Sequence, residues 1–258
     1  MKPWYKRYGF KENPFDIKFN PNLIGVEEEQ KKLMDYVVGG NVCFVTGESG
    51  TGKTSLLKWL ELKVKNHTPV YVDCEGIDEE FNFERYLKQH NTLFRSFFKE
   101  YPKNVVILLD EAQVAKDTLK GLLKIHWENG YVKSVVITQI PRLDNFSNAM
   151  KARIGGRVIQ MKGLTRKNAK ALLEARTKGK PLFTDDGATY LIDKANGIPR
   201  KFLELCERVC IELDRRGLRK EFIDREDIIA VFEGKPIKTP KIAKKSHKTG
   251  FSFLKRKT

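Results

Sequence analysis

The sequence predicts an α/β fold, a doubly wound parallel sheet of five strands, followed by a small all-α domain. Three observations lead there. The glycine-rich string "GESGTGKTS" (47–55) joins an apolar strand-like run to a helix-like one. Further apolar runs of strand length alternate with stretches whose apolar residues recur at helical spacing, the order that builds parallel sheets. From Thr165 onward only helix signals remain.

Taken in order, "NVCFVT" (41–46) reads as the first strand, and the stretch after the glycine-rich loop carries Leu56, Leu57, Leu60 and Val64 on one helical face. "PVYVDC" (69–74) is a second buried strand. Residues 79–101 read as a long helix whose face of Phe83, Tyr86, Leu87, Phe94, Phe97 and Phe98 belongs to the core. "NVVILLDEAQ" (104–113) is a third strand ending in Asp110 and Glu111; its unbroken apolar run suits a strand covered on both faces. A helix around Leu119, Leu122 and Leu123 leads to the fourth strand, "KSVVITQ" (133–139), and "RVIQMKGL" (157–164) is the fifth. Thr165, Thr184 and Asp224 have the character of helix N-caps, Pro199 that of a first-turn residue and Gly217 that of a stop. The expected division is an α/β P-loop nucleotide-binding domain with its N-terminal segment (1–162), a helical lid (163–233) and a disordered basic tail (234–258).

The 258 residues, 40% hydrophobic and 32% charged, are enough for a substantial core. No apolar run reaches the length of a membrane span, and the N-terminus lacks the apolar region of a secretory signal, so a cytoplasmic protein without a membrane anchor is expected. The four cysteines show no C-x-x-C pair and read as buried thiols. Net charge is +16, and the stretch from Gly234 onward holds nine Lys or Arg and no acid. Such a composition does not bury itself.

The chemistry starts at the loop. Gly47, Gly52, Lys53 and Thr54 meet the pattern G-x-x-x-x-G-K-[ST], in which backbone N–H groups of 47–55 (Gly47, Glu48, Ser49, Gly50, Thr51, Gly52, Lys53, Thr54 and Ser55) turn towards phosphates. Lys53 reaches the outer phosphate oxygens, and the Thr54 hydroxyl suits Mg²⁺. Hydrolysis also needs a metal-holding acid and a group that orients water, roles that Asp110 and Glu111 fit respectively. Thr138 and Gln139, ending the fourth strand, would lie beside those acids if the strands are neighbours. Arg153 and Arg157 flank a glycine pair before the fifth strand, and Arg200 opens a helix of the lid in "NGIPR".

Together, the phosphate loop, "LLDEAQ" and a helical lid containing "GIPR" resemble an AAA+ ATPase, and more narrowly the ExeA/TniB type, allied to the replication-initiator (origin recognition) ATPases. The resemblance runs from "YGFKENPFD" (8–16) through "TQIPRL" (138–143) to "LFTDDGATYLIDKANGIPRKFLELC" (182–206). It implies Lys53 and Thr54 as the Walker A pair and Asp110 and Glu111 as the Walker B pair. Gln139 matches a first sensor, Arg200 a second sensor reading its own subunit's nucleotide, and Arg153 or Arg157 a finger reaching a neighbour's. It also implies ATP and Mg²⁺ as cofactors and a homo-oligomer, ring or filament, formed with ATP. Secretion-type members often carry a membrane segment and a wall-binding domain, and initiators a winged helix; the basic composition after the lid leads us to expect neither here.

Two functions fit. In the first, the assembly acts on or with DNA through basic loops and the tail, whose clustered Lys and interspersed Phe251, Phe253 and Leu254 suit phosphate contacts with stacking. In the second, it is a nucleotide-switched adaptor or assembly factor acting on a protein partner that the sequence does not name. A small-molecule kinase would leave the second sensor and the finger without a role.

Overall fold

The computed structural model describes residues 3–77, 81–90, 104–115, 117–141 and 146–237, with the backbone alone for residues 117 and 118. Five strands, β1 (Val42–Thr46), β2 (Thr68–Asp73), β3 (Val105–Asp110), β4 (Val132–Gln139) and β5 (Val158–Gln160), form one parallel sheet in the order β2-β3-β4-β1-β5. The expected fold class is observed. Residues alternate between faces along each strand, so β3 sends Val105, Ile107 and Leu109 into one core and Val106 and Leu108 into another. Every residue of β3 is buried, which is why its sequence shows no polar alternation.

Helices cover both faces. On one lie α2 (Glu27–Val38), with Leu33 and Val37, and α3 (Lys53–Lys63), with Leu56, Leu57 and Leu60. On the other lie α4 (Phe83–Gln89), α5 (Asp117–Glu128) and α6 (Asn148–Ile154), bringing Phe83, Leu87, Leu119, Leu123, Met150 and Ile154. The long helix read over 79–101 is seen as α4; its outer aromatic residues, Phe94, Phe97 and Phe98, lie outside the described residues. The fifth strand is shorter than its apolar run. Met161 N–H still bonds Thr46 O at 2.7 Å, but Gly163 then meets the backbone of Gly197, where an added Cβ would stand 3.0 Å from the carbonyl oxygen, and Leu164 N–H donates to that oxygen at 2.7 Å. The chain leaves the sheet there.

Beyond this crossing come α7 (Arg166–Arg176), α8 (Asp185–Lys194), α9 (Pro199–Arg215) and α10 (Arg225–Phe232). Thr165, Thr184 and Asp224 each accept a backbone N–H as N-caps, Asp224 within a reciprocal capping box with Asp227. Pro199 occupies the first turn of α9 and Gly217 follows its end, as the sequence indicates. These helices share a core around Phe202, Leu191, Cys206 and Leu213.

The sequence reading groups the N-terminal segment with the α/β part; its side chains pack elsewhere. A short α1 (Trp4–Arg7) and the residues after it bury Trp4, Tyr8 and Phe15 in the helical core, with Trp4 stacked on Phe15 at 5.7 Å between ring centroids. Arg7 pairs with Asp214 at 2.8 Å, and Asn13 donates to Glu207 at 2.6 Å. All four cysteines are free and buried, and burial pushes Cys43 and Cys74 up to about 12, so they stay protonated thiols.

Candidate functional site

The loop of 47–55 joins β1 to α3 at the carboxyl end of the sheet, where parallel α/β folds bind ligands. Gly50 has φ +83°, and a Cβ there would stand 3.0 Å from both Ile198 Cγ2 and Arg200 Cβ. Glycine takes this conformation without strain and leaves room for Ile198 and Arg200 to approach. Gly52, at φ +101°, caps α3, whose first N–H groups face outward as an anion site. The Lys53 side chain is almost wholly buried, its ammonium donating to Gly47 O at 3.0 Å and Glu48 O at 3.2 Å. A buried cation held, among the described residues, by carbonyls of a ring-like loop, together with the N-terminus of α3, fits the phosphates of a nucleotide, and the Thr54 hydroxyl on the same wall fits their divalent metal.

A single cleft contains Ser49 to Ser55, Glu111 and Arg200. Its other wall is not legible in the sequence: Leu23, Ile24 and Val26 before α2 face Leu172 of α7 and Leu203 of α9, an apolar surface on which a flat base can pack. Arg176, also on this wall, donates to Asp16 O at 2.9 Å, and burial lowers its pKa.

Asp110 lies beneath the cleft, 2% exposed. Its Oδ2 accepts the Tyr71 hydroxyl at 2.7 Å, and its Oδ1 accepts the Thr138 hydroxyl and, at 3.2 Å, the Glu111 N–H. Three donors from β2, β4 and the strand end thus fix this carboxylate. Burial, and next the Asp110 carboxylate, raise the Tyr71 pKa, so the phenol remains a donor. β3 and β4 are neighbours, as the sequence reading required, but Thr138 turns to Asp110. Gln139 is fully buried opposite Thr46 in the β1–β4 register, one residue before the phosphate loop.

Glu111 sits in the left-handed region, φ 49° and ψ 47°, a conformation that costs a non-glycine residue roughly 1–2 kcal/mol. The turn puts its side chain on the cleft wall, where its Oε2 accepts from Gln113 Nε2 at 2.6 Å. Arg200 is exposed, and its backbone N–H donates to Gly50 O at 3.3 Å.

Arg153 and Arg157 do not line this cleft. Arg153, on α6, is ion-paired with Glu128, donates to Ala149 O at 2.9 Å and lies over the Trp127 ring at 5.9 Å. Arg157 donates one N–H to Arg153 O at 3.1 Å. No helix among the described residues is long and apolar enough to cross a membrane.

Comparison with known proteins places this geometry. Residues 39–164 match the family described as AAA domain. General secretion pathway protein A of Aeromonas hydrophila is 24% identical over 248 residues, covering 83% of this chain and 45% of that protein, so the chain spans about half the length of this relative. The Orc1 protein of Aeropyrum pernix, solved in complex with DNA, superposes with a TM-score of 0.63 at 18% identity over 83% of this chain and 66% of that one. The Thermotoga maritima RuvB Holliday junction branch migration motor gives 0.65 at 16% identity, over 86% and 73% of the two chains. Cdc6p of Pyrobaculum aerophilum gives 0.63 at 16% identity, over 87% and 71%. A phosphate loop closed by a buried lysine, paired acids at the end of the neighbouring strand but one, and a helical half seated on that loop thus accompany a match of residues 39–164 to the AAA domain family and a fold shared with the Orc1, Cdc6p and RuvB structures.

Proposed function

We propose that the chain binds ATP with Mg²⁺, hydrolyses it, assembles with further copies of itself when nucleotide is bound, and acts on or with DNA. The observation that carries this reading is the convergence of the phosphate loop, Glu111 and Arg200 on one cleft. Mg²⁺, held at Thr54 and Asp110, would neutralise charge on the outer phosphates. Lys53 and the loop N–H groups bind the phosphates, Glu111 takes a proton from the attacking water, and Gln139 and Arg200 read the outermost phosphate from the sheet and the lid. Arg153 or Arg157 serves a neighbouring subunit's site. The division into an α/β part, a lid from 163 to 233 and a basic tail belongs to the same proposal, with residues 3–16 packing on the lid.

DNA is supported by the nine basic residues from Gly234 onward, most of which lie outside the described residues, and by the likeness to Orc1, whose structure was solved with DNA bound. The test is twofold. Glu111→Gln should keep ATP binding and lose turnover; near-normal ATPase would remove Glu111 from its role. DNA affinity measured from low to moderate salt should weaken steeply, and deletion of 235–258 should flatten the slope. The name of the Aeromonas relative favours a second reading, an assembly factor for a protein partner. Equal affinities and slopes for full-length and truncated chains would favour it.

A further inference from the structure

Between the strand-end acids and the rest of the sheet half runs a one-turn 3-10 helix, Ala112–Val114, fixed by Ala112 and Ala115, both buried in the core. Val114 N–H bonds Glu111 O and Ala115 N–H bonds Ala112 O, each at 3.2 Å, so the turn is closed on itself. It carries Gln113 two residues from Glu111. The amide Nε2 donates to Glu111 Oε2 at 2.6 Å, while the amide Oε1 is buried and accepts no hydrogen bond from any described residue.

We propose that Gln113 is the positioning residue of Glu111, its amide N–H holding one carboxylate oxygen in place. This rests on the reading of Glu111 given above. A glutamate on a cleft wall has three rotatable side-chain bonds and, unrestrained, samples many orientations. Anchoring Oε2 to an amide on a turn fixed by two core alanines removes most of them and leaves Oε1 to take a proton. The amide of glutamine supplies a neutral donor for the carboxylate at the required reach.

The test uses two variants of the full chain that keep the side chain's length. Gln113→Met lacks donor and acceptor; Gln113→Glu keeps the shape but sets a carboxylate against a carboxylate. Turnover should fall about tenfold in Gln113→Met and further in Gln113→Glu, with KM for ATP and affinity for a fluorescent ADP analogue within about twofold of the parent. A merely space-filling role would leave Gln113→Glu near normal, and that result overturns the proposal. Parallel loss of ADP affinity and turnover overturns it too. A second readout needs no turnover: in a thermal-unfolding cycle of Gln113→Met, Glu111→Ala and the double variant, the Tm changes should be non-additive, and additivity would mean that the two side chains are not coupled. The Glu111→Gln control separates the failures. If that variant still hydrolyses ATP, the role of Glu111 falls and this one with it; if it is inactive and both Gln113 variants are normal, only the role of Gln113 falls.

Discussion

The two halves that wall the cleft are held together in different ways. The sheet half has two cores, one on each face, and every strand is hydrogen-bonded to neighbours set by register. The helical half has one core, built from four helices adjacent in sequence and closed by aromatic residues from the opposite end of the chain. The difference shows what each can give to a site. The sheet half supplies groups fixed by burial and hydrogen bonds, Lys53 and the triply bonded Asp110, whereas the helical half supplies an exposed arginine, Arg200, and an apolar residue, Leu203, on the opposite wall.

The strongest way to break this comparison is at the far end of the helical core. Trp4→Ala removes a ring that is 7% exposed and stacked on Phe15, and is expected to cost about 3–5 kcal/mol, confined to the helical half. Urea unfolding followed by far-ultraviolet circular dichroism should show an early helical transition; an unchanged curve would mean that the N-terminal segment does not support the helical core. Lys53→Ala acts on the fixed half without loosening its core. ATP affinity should drop about a hundredfold, or about 2.7 kcal/mol, by equilibrium binding. Retained affinity would show that the loop N–H groups suffice.

At the seam between the halves, Gly50→Ala must adopt a left-handed backbone and displace Ile198 or Arg200, so a loss of about 1–2 kcal/mol in nucleotide binding is expected, without a matching loss of Tm. If Tm falls instead and binding persists, the contact is structural only. The smallest effect is local. Asp224→Ala removes the capping box of α10 at about 1 kcal/mol, seen as a lower midpoint of the helical transition alone.

The sequence is most informative where a signal is carried by adjacent residues. The loop, the unbroken apolar run of β3, the caps Thr165, Thr184 and Asp224 and the limits of α9 are local chemistry, and each is legible. What requires the structure is pairing over distance. Nothing near Trp4 or Phe15 says that they fill a core made by residues more than 150 positions away. Likewise Leu23, Ile24 and Val26 give no periodic pattern, yet they form a wall of the cleft. Helices α2 and α6 have short or polar signals, and α6 is announced mainly by its cap, Ser147, which accepts the Met150 N–H at 3.3 Å. Strand order puts Thr138 beside the acids but cannot say which polar neighbour its hydroxyl will choose. A buried carboxylate one strand away is the stronger acceptor.

The crossing at Gly163 and Gly197 bears on how such a molecule changes over generations. The contact is backbone against backbone, with the Leu164 N–H on the Gly197 carbonyl and no room for a Cβ on Gly163. Substitutions that repack one core have no side chain at this point through which to disturb the other. At this point the sheet half and the helical half can therefore drift in sequence separately, while the crossing itself admits almost no change: a methyl group at Gly163 would push apart the two chain segments that meet there.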